Sequence, residues 1–89
     1  MAHIYVKHSI DDYDEWKDIF DNQHLTRKAA GCTDVQIFRN ASDQHEVVLI
    51  YEWDEVNNAY SFVHSSTFSD FNKNAGAETT EITFLVKEL

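Results

Sequence analysis

Residues 47–53 read Val47-Val48-Leu49-Ile50-Tyr51-Glu52-Trp53, a β-branched and aromatic run that predicts a strand. Side chains alternate across a strand, so Val47, Leu49, Tyr51 and Trp53 share one face while Val48 and Ile50 take the other. Both faces are therefore apolar. A sheet covered by helices on one side only leaves its second face to water, and that face is usually polar. Here something has to cover it, and a chain of 89 residues has little left over to do so. A second copy of the chain is the simplest cover.

Working outward, residues 3–8 alternate as a strand, with Ile4 and Val6 opposed to His3, Tyr5 and Lys7. Ser9 or Asp11 is placed to cap a helix that opens with acidic residues, favourable at the positive end of the helix dipole. Its stripe of Tyr13, Trp16, Ile19, Phe20, His24 and Arg27 runs at spacings of three and four, which predicts one amphipathic helix as far as Gly31. A strand follows at 33–39, with Val35 and Ile37 on one face and Gln36 and Phe38 on the other. A polar turn, Asn40-Ala41-Ser42-Asp43, leads into the strand at 45–53. Asp54 is read as the cap of a second helix carrying Ala59, Phe62 and Val63. Ser65-Ser66 marks a break before Phe68, Phe71 and Ala75, and Gly76 ends that segment. The last strand spans 80–87. The predicted fold is α+β, a ferredoxin-like β-α-β-β-α-β single domain with a four-stranded antiparallel sheet. It is expected to dimerise through its sheet faces into an α+β barrel, because an exposed apolar face of several hundred Å² is rare in a monomer.

Composition narrows the function classes. The formal charge is −9, which repels phosphate backbones and anionic bilayers, so neither nucleic acid nor membrane is expected as a partner. No stretch approaches a membrane span or a signal peptide, and a cytoplasmic protein is expected. Cys32 is the only cysteine, which excludes an internal disulfide and a multi-thiolate zinc site. The carboxylates Asp11, Asp12, Asp14, Glu15, Asp18 and Asp21 lack a calcium-loop spacing and read as a solvated helix face. No His-x-x-x-His spacing occurs, and no Gly-rich phosphate loop, so neither a metal nor a nucleotide cofactor is expected.

The side chains that could carry chemistry are few. His24 follows Trp16 and Phe20 along the sheet-facing stripe, and imidazole is the side chain best suited to proton transfer near neutrality. A structural histidine at the edge of the stripe is the competing reading. His64 precedes the Ser65-Ser66 break, where it either meets a ligand oxygen or caps helix carbonyls. Together the two histidines would form an acid/base pair if they reached one cavity. Trp16, Tyr51 and Phe62 are core volume first, yet with Arg27 they also suit a pocket for a flat, oxygenated aromatic molecule. His3, His8 and His45 are weaker candidates. Cys32 reads as a packing residue.

The chain resembles the dimeric α+β barrel superfamily, and within it the small proteins grouped with the antibiotic biosynthesis monooxygenases. The resemblance rests on Val6-Lys7 leading into Asp12-Tyr13-Asp14-Glu15-Trp16, on Phe20 and on Arg27-Lys28-Ala29-Ala30-Gly31. It continues through Val35-Gln36-Ile37-Phe38-Arg39-Asn40, Tyr51-Glu52-Trp53 and Phe62-Val63-His64-Ser65-Ser66-Thr67-Phe68. It implies a ligand cavity between helices and sheet, and activities that include cofactor-independent oxygenases, lactone isomerases and haem degradation. The haem-degrading pattern needs an asparagine, a tryptophan and a histidine. This chain places Phe62 and Asn72 where the last two belong, and His3, Tyr5 and Lys7 in the first strand, so that branch is not expected. The expectation is a homodimeric, cofactor-independent monooxygenase-like or isomerase-like enzyme for a small aromatic or quinone. Its proposed machinery is His24 and His64 as catalytic residues, with Trp16, Arg27, Tyr51 and Phe62 around the substrate. The alternative is a non-catalytic ligand-binding or structural dimer on the same scaffold.

Overall fold

The computed structural model describes residues 2–88. In chain order it runs β1 (Ala2–Ile10), α1 (Tyr13–Asn22), α2 (His24–Ala30), β2 (Cys32–Asn40), β3 (Asp43–Trp53), α3 (Val56–Val63), α4 (Ser66–Asn74) and β4 (Ala77–Val86). The four strands form one antiparallel sheet in the order β2-β3-β1-β4, the ferredoxin-like arrangement expected from the sequence. The run at 47–53 is the inner strand β3. Val47, Leu49, Tyr51 and Trp53 are all buried, each side chain contributing about 1.5–3 kcal/mol by leaving water. Above them Trp16 stacks on Phe20 with ring centroids 5.0 Å apart, and Phe20 meets Phe71 edge-on at 6.1 Å.

The local details differ from expectation at three places. The single helix predicted up to Gly31 is two, because Gln23 leaves helical geometry (φ −93°, ψ 6°) between α1 and α2. Its backbone N–H still bonds back to the Phe20 carbonyl at 3.1 Å, so the chain turns a corner without unfolding. The cap of α1 is Asp12, not Ser9 or Asp11; its carboxylate accepts from the Glu15 N–H at 3.0 Å. Asp54 lies one residue before the cap of α3, which is Glu55. The Asp54 carboxylate accepts from the Glu55 N–H at 2.6 Å and from Asn58 Nδ2 at 3.0 Å. The Ser65-Ser66 break falls where the sequence places it, with Ser65 Oγ accepting from the Phe68 N–H.

Two register shifts position the chemistry. Cys32 pairs with Trp53 but Asp34 pairs with Glu52, so Thr33 is a bulge that turns Cys32 toward the helices. On the other edge Lys7 pairs with Glu81 and His8 with Thr79, which makes Thr80 a bulge and brings Thr79 onto the helix-facing side.

The face away from the helices has an apolar middle and a charged border. Tyr5, Val48 and Ile50 are half-buried there, and Phe38 is 52% exposed. Lys7–Glu46 and His3–Glu52, each at 3.6 Å, frame that middle.

Candidate functional site

A cleft of about 880 Å³ opens where the corner at Gln23 lifts α2 away from the edge strand β2. Phe20, Cys32, Val35 and Ile37 form an apolar floor, while His24, Arg27 and Lys28 stand on the α2 side. The helix ends on Gly31, whose φ of 115° is a left-handed conformation open to glycine at little cost. The Asp54 side chain packs against that residue, so that a Cβ there would lie 2.5 Å from Asp54 Oδ1. Together the glycine and the bulge at Thr33 fix the rim where α2 passes into β2.

Arg27 is the unusual member of this wall. It is only 6% exposed, although arginine is rarely buried without a charged partner. Its Nη1 donates to the Phe20 carbonyl at 2.8 Å, and its guanidinium lies over the Phe20 ring, 3.7 Å from the centroid. Burial lowers its pKa, and the nearby Tyr51, Cys32 and Asp21 pull it back up. Guanidinium remains charged throughout the range in which proteins are studied. Burial likewise raises the Cys32 thiol, against the opposing pull of Arg27, so Cys32 is a neutral thiol in the floor.

The cleft gathers two of the six residues singled out from sequence, His24 and Arg27, one helical turn apart on α2. His24 is exposed at the start of that helix rather than in line with Trp16 and Phe20, because the corner at Gln23 ends the stripe. Trp16 and Tyr51 are in the core, not on the cleft wall. Burial pushes the Tyr51 phenol well above its ordinary range, with Arg27 opposing, so it stays protonated. Phe62 packs on Trp53 at 5.1 Å and on Phe68 at 5.4 Å. His64 is the exposed C-terminal cap residue of α3 and lines no part of the cleft.

A second polar group lies inside, under α4. His8 is completely buried, and burial lowers its pKa to about 4, so the imidazole is neutral. Asn72 Nδ2 donates to Thr79 Oγ1 at 3.4 Å, and Thr79 Oγ1 stands 3.0 Å from His8 Nδ1. Among the described residues, His8 Nε2, Asn72 Oδ1, Trp16 Nε1 and Trp53 Nε1 find no partner. Sequence reasoning passed over His8, yet its parity was the available signal: it shares a strand face with Ile4 and Val6. Among the described residues no three His, Cys, Asp or Glu side chains group to hold a metal. Among the described residues no helix is long and apolar enough to cross a membrane.

Comparison with protein families matches residues 1–74 to the antibiotic biosynthesis monooxygenase domain. Comparison with curated protein sequences finds no match. Among solved structures, SnoaB, a cofactor-independent oxygenase from Streptomyces nogalater, superposes with a TM-score of 0.79 at 11% identity, over 99% of this chain and 93% of that one. A Bordetella bronchiseptica protein assigned to the antibiotic biosynthesis monooxygenases gives 0.77 at 20% identity, over 99% and 97%. A Deinococcus radiodurans protein of the same assignment gives 0.69 at 13%, over 100% and 94%. At these identities the likeness carries the fold, not the chemistry.

Proposed function

The chain belongs to the antibiotic biosynthesis monooxygenase family, and from that premise we propose that it is a homodimeric, cofactor-independent monooxygenase-like enzyme acting on a small aromatic or quinol at the α2–β2 cleft. The observation that carries this reading is the juxtaposition of His24 and Arg27 above an apolar floor in a cleft of about 880 Å³, a volume within the ordinary range of small-molecule sites. A phenolic substrate lies against Val35 and Ile37, beside the Arg27 guanidinium. His24 takes its proton, and the positive field of Arg27 favours the anion. The electron-rich ring then reacts with dioxygen at a CH₂ carbon of its keto tautomer. One oxygen atom becomes the new carbonyl, and the other leaves as water with the two hydrogens of that carbon.

Membership of the antibiotic biosynthesis monooxygenase family favours an oxygenase over an isomerase. The half-buried Tyr5, Val48 and Ile50, framed by Lys7–Glu46 and His3–Glu52, support a dimer through the open face, because an apolar centre with a polar rim is the anatomy of an interface. The test is oxygen uptake by the purified, metal-free protein with 1,5-dihydroxynaphthalene, whose ring carbon para to one hydroxyl is oxidised to a carbonyl, run against the uncatalysed oxidation and repeated under ¹⁸O₂. One labelled atom in the product and one in water, at a rate proportional to protein, is expected. Uptake no faster than without protein overturns the enzyme reading and leaves a binding module.

A further inference from the structure

We propose that the cleft recognises aromatic carboxylates, with the carboxylate of the ligand seated on the Arg27 guanidinium and its ring on the apolar floor. This rests on the cleft being the substrate site and deepens that reading: the anchoring anion is a fixed carboxylate, which leaves His24 free to serve the reacting oxygen.

Three observations lead there. Arg27 is 94% buried by its 6% residual exposure, and none of the ion pairs among the described residues includes it. Asp21, the acidic neighbour whose field it feels, is held by Lys17 Nζ at 2.7 Å to both carboxylate oxygens. The guanidinium has five N–H donors, and its one side-chain hydrogen bond is to the Phe20 carbonyl. A buried cation with a neutral partner is a costly arrangement unless an anion completes it. A carboxylate matches the planar donor fork of arginine better than a point anion does. Stacking on Phe20 fixes the plane of that fork; of the other charged side chains lining the cleft, Lys28 adds to the positive field while Asp21, Asp34 and Asp54 oppose it, so the attraction rests on direct contact with the guanidinium. Val35 and Ile37 give the floor an apolar surface that suits a ring.

The competing role for Arg27 is that of a clamp, holding the corner between α1 and α2 through the Phe20 carbonyl and needing no ligand. Calorimetric titration of the full chain with 2-naphthoate and with its uncharged isostere 2-naphthamide separates the two. The naphthoate is expected to bind about tenfold more tightly or better, as a charge-assisted contact in a dry site gives, and to shift the backbone amide signals of Gly31, Cys32 and Thr33. R27M should abolish the difference between the two compounds, and R27K should restore part of it. Equal affinity for the two compounds, binding of neither, or a preference that survives in folded R27M overturns the proposal. The comparison in the unaltered chain stands even if R27M does not fold. Because binding is read without turnover, selective naphthoate binding with no quinol oxidation sinks the enzyme reading alone. Quinol oxidation with no carboxylate preference sinks this inference alone.

Discussion

His8 Nδ1 and Thr79 Oγ1 meet at 3.0 Å across the β1–β4 pair, and they meet because of one extra residue. The bulge at Thr80 shifts the parity of β4, so Thr79 faces the helices on the same side as the even-numbered Ile82 and Phe84. Without that shift, the buried imidazole would lose its hydroxyl partner. Asn72 on α4 in turn bonds the same hydroxyl. The contact thus ties α4 to an edge strand and an inner one.

Acid should loosen the fold through this histidine. The unfolded chain takes up a proton on His8 near the ordinary value of 6.5, while the folded chain does so only at about 4. Between those values the unfolded state holds more protons, so the contribution is fully present above pH 6.5 and is lost as pH falls toward 4. The ceiling is about 3 kcal/mol. Urea unfolding at half-unit steps from pH 7.5 to 4.5 should show a decline beginning near 6.5. His8→Gln, which keeps a hydrogen-bonding group but cannot titrate, should flatten the upper part of that decline. Parallel curves for the two proteins would remove His8 as its cause.

Gly31→Ala is expected to destabilise the chain by about 2–4 kcal/mol, since it adds both a strained φ and a collision. The two parts can be separated. The collision is with Asp54 Oδ1, 2.5 Å from the added Cβ, whereas the φ of 115° strains any L-residue. In an Asp54→Ala background the same substitution should cost less, by about 1 kcal/mol, yet remain unfavourable. A strictly additive double-mutant cycle would show that Asp54 does not form the rim of the cleft.

How far the sequence reveals these features depends on whether each is written in local pattern. The alternation of Val47, Leu49, Tyr51 and Trp53 against Val48 and Ile50 is strong because burial on a strand has an unambiguous period of two, and it carries the topology with it. The corner at Gln23 is invisible because glutamine is a good helix former and His24 and Arg27 continue the apolar spacing. That error placed His24 in line with the core instead of on the wall of a cleft. Asp54 has the composition of a cap but stands one position early, within the usual uncertainty of helix ends. The His8–Thr79–Asn72 group needs the bulge at Thr80 and the docking of α4, and neither is a local property. Cys32 enters the cleft through a similar shift at Thr33.

Ile50 tests the open face. It is half-buried on β3, between Gln36 of β2 and Tyr5 of β1 in the sheet register, in the apolar middle of that face. The unaltered chain should sediment as a dimer. Ile50→Asp places a charge at the centre of the proposed interface, where desolvating it without a partner costs several kcal/mol. It should therefore shift the protein to monomers at micromolar concentration with little change in the circular dichroism of the fold. Because the Lys7–Glu46 ion pair and the His3–Glu52 contact border the same face, Lys7→Ala should weaken association much less. A monomeric parent chain would remove the sheet-face dimer altogether.

The two histidines offered by sequence can be told apart by turnover. His24 stands one turn before Arg27 on the wall of the cleft, while His64 caps α3 outside it. If His24 is the proton acceptor, His24→Ala should lower quinol oxidation by about 10²–10⁴-fold, the range lost with a general base. Binding of 2-naphthoate should change little, since Arg27 and the apolar floor hold that ligand. Both substitutions are at exposed positions, so neither should move stability by more than about 0.5 kcal/mol, and lost activity can be read as lost chemistry. His64→Ala should oxidise the quinol at the parent rate. The reverse pattern, with His64 required and His24 dispensable, would move the reaction out of this cleft and toward the interior under α3 and α4, where His8 Nε2 and Asn72 Oδ1 stand without partners.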